Sequence, residues 1–497
     1  MTASPNSLLG TGVRDFQKIL HGILICTFQI FRAICGIVGC YLGGDATGQM
    51  SLAARGNLAS VVTTPWPAKH FSFPPFPIPR MMLREKSHFP AEQPVLHEPS
   101  AHEALHDVPW DEGRVRAVVR EVVAEMERMC DPTGLWPLHP LDVEGTDDDW
   151  AGVSHGIYLG AAGMLWALDR LTQAGAAETS IDLAAAAVRL HEGYLQRCHA
   201  PDEPMPSLWV GEAGVLLVAE LLAPDPARRD SLLHVVQGNA RNETRDLLWG
   251  APGTMLAARE MYRRTGEERW ALAWRESAGV LLAEWQLDDE LGCHLWTQII
   301  EGRSSRQLGA AHGFAGNVLS LLSGIDLLPV AQREEIIERA TRTVVTTAVV
   351  AGTRANWPVV AGRALSGSQS ARTQWCHGAP GIVCSLAGLP ANLELDSILV
   401  AGGELTWNAG PLVKGAGLCH GTAGNGFAFL ALFARTGDEM WLERARGFAM
   451  HALAQLERQR EQSGGGHSGL WTGDLGAVLY VWQCISGDPA MPALTAW

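Results

Sequence analysis

The chain has 497 residues, 47% hydrophobic and 18% charged, enough apolar content for a substantial buried core. A formal net charge of −15 with no Lys/Arg cluster excludes an electrostatic nucleic-acid footprint. Ten cysteines scattered along so long a chain exclude a small disulfide scaffold; they suit free thiols in a reducing, cytoplasmic setting, with a metal site among them.

Residues 1–90 read as a poorly structured extension ahead of a domain spanning 91–497. Ile19 to Leu42 is a nearly continuous apolar run, broken by His21, Gln29 and Arg32 and preceded by Arg14 and Lys18. Its length suits a membrane span or a signal-peptide core. Against a span, Arg32 near its middle would cost roughly 3 kcal/mol in a bilayer. Ile37-Val38-Gly39-Cys40 resembles a lipoprotein cleavage site over only four residues. Residues 63–90 are too rich in proline for a helix or a central strand. The simplest expectation is an over-extended start, with Met81 or Met82 as the genuine first residue; membrane association through 19–42 is the second reading.

Beyond residue 150 a pattern recurs. Gly-x-x-G begins at Gly160, Gly211, Gly250, Gly313, Gly378, Gly421 and Gly473, at spacings of 51, 39, 63, 65, 43 and 52 residues. In a chain with 54 glycines the pattern alone means little, but apolar residues follow each time, such as Met164-Leu165, Val215-Leu216 and Ile382-Val383. A period near fifty with helical patterning signals stacked helical hairpins. Segments 183–197 and 438–460 carry charges on one face, as outer helices should, while the helices after the glycines are apolar nearly all round. Seven inner and seven outer helices predict an all-α (α/α)7 toroid. Strand signals are sparse; the β-branched run 344–350 falls where an outer helix is due. The glycines would permit positive φ and close backbone approach.

The same register aligns the reactive side chains. Directly before the first glycine of each turn stand Leu159, Val210, Trp249, His312, His377, His420 and Thr472. One position earlier stand Tyr158, Trp209, Leu248, Ala311, Cys376, Cys419 and Trp471. Equivalent positions lie at one end of the toroid, so Cys376 and Cys419, in successive turns, can converge. Two thiolates and an imidazole make a zinc set with a fourth position open to substrate. Spacing leaves His377 and His420 as alternatives for the third ligand. Cys384 and Cys484 read as inert buried thiols. His155 and His467 lie out of register and are expected at the surface.

The blocks LGAAHGFAGN (308–317), WCHGAPG (375–381) and LCHGTAGNG (418–426) resemble the signature motifs of the lanthionine synthetase C-like family. The resemblance covers roughly residues 100–497. It implies an (α/α)7 barrel holding one zinc ion on Cys376, Cys419 and His420, with His312 as the acid/base group. Bacterial cyclases of the family typically carry W-C-Y-G, whereas eukaryotic-type members carry the W-C-H-G found here with His377. Lys414 is similar to the glutathione-contacting lysine of the eukaryotic type. Arg372 and Asp246 resemble an arginine and an active-site aspartate of the bacterial cyclases, so the features are mixed.

The implied chemistry is activation of a thiol, glutathione by preference, for addition to dehydroalanine or dehydrobutyrine in a peptide or protein. His312 would protonate the resulting enolate with His377 nearby, Asp246 would orient His312, and Lys414 and Arg372 would bind a carboxylate or the enolate oxygen. The alternatives are a lanthionine-forming peptide cyclase and a non-catalytic scaffold that binds zinc and glutathione. A toroidal glycoside hydrolase would show a carboxylate pair in the mouth, where these turns carry Cys and His.

Overall fold

A computed structural model describes residues 94–142, 153–197, 205–365 and 371–497. The expected extension over 1–90, its boundary and the apolar run 19–42 lie outside the described residues. Within them no helix is long and apolar enough to cross a membrane.

Among the described residues, fourteen α-helices alternate between two rings. The outer ring holds α1 (Glu112–Met129), α3 (Leu183–Arg197), α5 (Pro226–Asn239), α7 (Glu268–Ala283), α9 (Val330–Thr347), α11 (Leu393–Ala409) and α13 (Glu439–Ser463). The inner ring holds α2 (Ala161–Gln173), α4 (Glu212–Leu222), α6 (Ala251–Thr265), α8 (Phe314–Ser323), α10 (Ala379–Leu386), α12 (Thr422–Thr436) and α14 (Asp474–Ser486). Each inner helix packs on the next, and α14 returns to α2. The N-terminal outer helix α1 packs against α14, closing the circle. The expected (α/α)7 toroid is therefore observed.

Burial follows the ring. The first eleven residues of α12, Thr422 to Leu432, are all buried, whereas α9 buries only Ile336, Ala340, Thr343, Val344 and Thr347. An inner helix meets neighbours on every side; an outer helix needs one apolar stripe.

Every inner helix begins directly after the first glycine of its Gly-x-x-G. Among these seven leading glycines only Gly378 has a positive φ, 105°. The dominant reason for glycine is close approach instead. A Cβ on the second glycine would collide with the carbonyl oxygen six residues earlier, as at Gly381 on Trp375 and Gly424 on Leu418. The turn folds back on its own helix, and only glycine leaves room.

The two longest spacings hold what the repeat pattern does not show. Between α7 and α8 lie two antiparallel hairpins, β1 (Gln286–Asp288) with β2 (Cys293–Leu295) and β3 (Gln298–Ile300) with β4 (Arg303–Ser305). Between α9 and α10 lies a third, β5 (Val349–Ala351) with β6 (Arg354–Asn356). The run 344–350 is thus divided: its first four residues end α9 and Val349 opens β5.

Candidate metal centre

The residues two places before each leading glycine form a closed collar of hydrogen bonds. The Leu248 N–H donates to Ala311 O at 3.3 Å, Ala311 to Cys376 at 3.4 Å, Cys376 to Cys419 at 3.1 Å, and Cys419 to Trp471 at 2.9 Å. Trp471 then donates to Tyr158 at 3.0 Å, and Tyr158 to Trp209 at 2.9 Å. The last gap is bridged by a side chain: the Trp209 N–H donates to Ser207 Oγ at 3.0 Å, and Ser207 Oγ–H to Leu248 O at 2.6 Å. All seven turns are joined edge to edge. The collar is the physical reason that Cys376 and Cys419, 43 residues apart in sequence, are neighbours.

Both thiols are buried and lie within hydrogen-bonding reach of each other. Charge on one sulfur opposes charge on the other. The Cys376 thiol is pulled below the ordinary thiol range, first by the hydrogen bond from Cys419, then by Arg372, by Gln374 and by Lys414, against the opposing effect of burial. Gln374 Nε2 donates to Cys376 Sγ at 2.9 Å. Cys419 is pushed up by its thiolate partner and by burial, while the Tyr158 hydroxyl within bonding reach pulls it part of the way back.

Histidines line the collar on either side. His377 is buried, its Nδ1 lacks a hydrogen-bond partner, and burial foremost drives its pKa well down, with Arg372, His312 and Lys414 adding to the effect. His420, which keeps a partly accessible surface, is lowered to about 4, chiefly by burial and then by Lys414. His312 sits 6.0 Å from the His377 ring and 4.8 Å from Trp249. Its Nδ1 meets Asp246 Oδ2 at 2.8 Å. A carboxylate accepts, so Nδ1 carries the proton and Nε2 is left for a substrate. Asp246 is fully buried, and its Oδ1 accepts from the Trp249 N–H at 2.8 Å and the Gly250 N–H at 3.1 Å. One oxygen caps the third turn while the other orients the imidazole.

The two cations reach the thiols by different routes. Arg372 precedes the fifth turn, and Asn356, whose Nδ2 donates to Arg372 O at 3.1 Å and to Leu96 O at 2.6 Å, fastens that backbone. Exposed Lys414 rides on a loop held by the N-terminal strap: Val413 N–H donates to Ala101 O at 3.1 Å, and Glu103 N–H to Pro411 O at 2.9 Å. Glu103 in turn accepts from Gln455 and Arg458, both at 2.8 Å, and pairs with His451 at 2.7 Å.

In kind, two neighbouring thiols, one predisposed to ionise, and an imidazole directly after the second suit zinc. Among the described residues, however, no three His, Cys, Asp or Glu side chains are drawn together as a metal-holding group. The structure brings together Cys376 with Cys419 and His312 with Asp246, and Arg372 and Lys414 both act electrostatically on Cys376, His377 and His420.

Five residues escape the sequence argument or are misplaced by it. Tyr158 and Gln374 hydrogen-bond the sulfurs, and the register had flagged Tyr158 only as a position. Asp142 accepts from Thr472 Oγ at 3.0 Å and pairs with His467 Nε2 at 2.5 Å. His467 is not a surface residue: its side chain is 12% exposed and stacks on His139 at 4.0 Å. His155, also expected outside, is buried. Cys484 is buried and Cys384 half-buried, and burial raises both thiols, Cys484 to about 12.

A family model described as "Lanthionine synthetase C-like protein" matches residues 152–495. "LanC-like protein GCL1" of Arabidopsis thaliana is 42% identical over 82 residues, 16% of this chain and 19% of that protein. "Glutathione S-transferase LANCL1" of Danio rerio is 46% identical over 81 residues, 15% of this chain and 19% of that protein. The alignments thus span about a fifth of either relative's length. Among solved structures, "Nisin cyclase" is similar with a TM-score of 0.52 at 14% identity, covering 75% of this chain and 94% of its own, a likeness of fold alone.

Proposed function

The chain belongs to the lanthionine synthetase C-like family, and on that premise we propose that it forms thioethers, adding a thiol to dehydroalanine or dehydrobutyrine. The observation that carries the reading is the pair of buried thiols within hydrogen-bonding reach of each other, next along the collar from the turn of the His312–Asp246 dyad. Cys376, Cys419 and His420 would hold a zinc ion, which when bound would lower the pKa of a substrate thiol so that the thiolate is present at neutral pH.

The protein's own groups account for the rest. As sulfur bonds to the β-carbon, the C=C π electrons move toward the neighbouring carbonyl and leave an enolate. His312 Nε2, as imidazolium, donates the proton that the α-carbon needs, and Asp246 holds the ring in position and stabilises its charge. The proton given up by the thiol restores the imidazolium, so the sum is simple addition of S–H across the double bond. Arg372 and Lys414 neutralise the enolate oxygen or a carboxylate on the thiol. Positioned acid catalysis of this type contributes about 10²–10⁴-fold.

Lys414, together with the His377 of W-C-H-G, favours glutathione as the thiol. The competing thiol is a cysteine of the acceptor peptide itself, which would close a ring. A binding scaffold without turnover is the remaining alternative. One assay separates the three: zinc-loaded protein with glutathione and a dehydroalanine peptide, read by mass spectrometry, with Cys376→Ala and His312→Ala as controls. The glutathione adduct is expected. Ring closure without adduct would transfer the reading to a cyclase, and zinc-replete protein giving neither product would leave the scaffold.

A further inference from the structure

Charge around the collar is ordered. Arg372 enters the fifth turn and Lys414 the sixth, so a cation stands at the entry of each Cys-His-Gly turn. The seventh turn carries Thr472, in the register position of His420, and there a carboxylate stands, paired with an imidazole. Asp142, from the segment after α1, is bound to that turn through Oδ2 by Thr472 Oγ at 3.0 Å and His467 Nε2 at 2.5 Å. Its side chain is 9% exposed, and Thr472, which it binds, directly follows Trp471, whose carbonyl accepts from the Cys419 N–H at 2.9 Å. Held by two partners, the carboxylate is preorganised: little side-chain entropy is left to lose when a ligand binds. Both named bonds fall on one oxygen, and each carboxylate oxygen can accept further hydrogen bonds.

We propose that Asp142 is a specificity residue that binds the ammonium group of the thiol substrate, so that the mouth selects a zwitterionic thiol. The carboxylates of such a thiol face Arg372 and Lys414, its sulfur faces the Cys376–Cys419 pair, and its amine faces the seventh turn. This assignment rests on the thiol-addition reading and deepens it, because an uncharged cysteine inside a peptide offers no ammonium to Asp142.

The test compares glutathione with glutathione acetylated on its amine, a pair differing in that one charge. Their affinities for the zinc-loaded full chain are measured by calorimetry, which needs no turnover. Wild-type protein is expected to bind glutathione roughly tenfold more tightly than the acetylated form, as a hydrogen bond to a charged group allows. Asp142→Asn should bring the ratio close to one by weakening glutathione alone. His467→Gln keeps the carboxylate and should keep most of the preference. An equal ratio in wild type and Asp142→Asn overturns the assignment. Equal weakening of both thiols in Asp142→Asn also overturns it, by making Asp142 a brace for the turn. Collapse of the ratio in His467→Gln gives the selectivity to the imidazole and overturns it as well. If neither thiol binds the wild-type protein, glutathione as the thiol and the subsite both fail, while addition of a peptide cysteine is left standing.

Discussion

The fifth and sixth turns carry the same three letters, Cys-His-Gly, and yet build different surroundings for them. Two residues before Cys376 stands Gln374, whose amide donates to the sulfur at 2.9 Å. Two residues before Cys419 stands Gly417, and a Cβ there would lie 2.7 Å from the carbonyl oxygen of Thr472. Close packing between the sixth and seventh turns therefore denies Cys419 a donor from its own turn, and Tyr158 supplies one from the first. The histidines diverge as well: His377 is buried against Gly309 with Nδ1 unpartnered, whereas His420 keeps an accessible surface and feels Asp142. Identical motifs acquire distinct chemistry from their ring neighbours.

That contrast can be broken or sharpened experimentally. The largest effect is expected from Cys376→Ala, which should abolish both stoichiometric zinc and thioether formation; retained zinc by elemental analysis would show that the two turns do not share a metal. His312→Ala should slow addition by about 10²–10⁴-fold while leaving zinc content unchanged, since the imidazole serves a proton and not the metal. Loss of zinc in that variant would move His312 into the ligand set.

A finer test addresses the thiols in zinc-free protein. Followed by thiolate ultraviolet absorbance, the first ionisation should belong to Cys376 and fall below the ordinary thiol range, because the thiolate accepts hydrogen bonds that its protonated form cannot. Lowered pKa means that thiolate persists to lower pH. Gln374→Ala should move this ionisation upward, while Tyr158→Phe should leave it in place and raise only the second. The reverse assignment would exchange the roles of the two turns. The smallest effect is expected from Ser207→Ala, which opens the collar on the side remote from the cysteines. Leaving the Trp209 and Val210 N–H groups and the Leu248 carbonyl without this partner should cost about 1–3 kcal/mol in denaturant unfolding, with zinc content preserved.

Much of this architecture was legible in advance because the repeat has a strict local cause. Each Gly-x-x-G marks a point where a helix must pack on its own entry loop, and all seven marked inner helices are present. The hairpins were harder to read, being three-residue strands inserted within long spacings. In the turn joining β3 to β4, Glu301 and Gly302 both take left-handed φ, 52° and 69°, and Glu-Gly is a weaker signal for such a turn than Asn-Gly. His155 and His467 were misplaced because neither belongs to the register, and burial depends on partners such as Asp142 that are distant in sequence.

The sequence by itself determined the number of turns, their order and the neighbourhood of Cys376 and Cys419, since register in a closed repeat specifies position around the ring. Only the tertiary structure decided which side chains attend each sulfur of the pair. The reason is that Gln374, Tyr158 and Asp142 act through space across a backbone collar, and the gaps between its turns, down to the missing Cβ of Gly417, are properties of packing rather than of spacing.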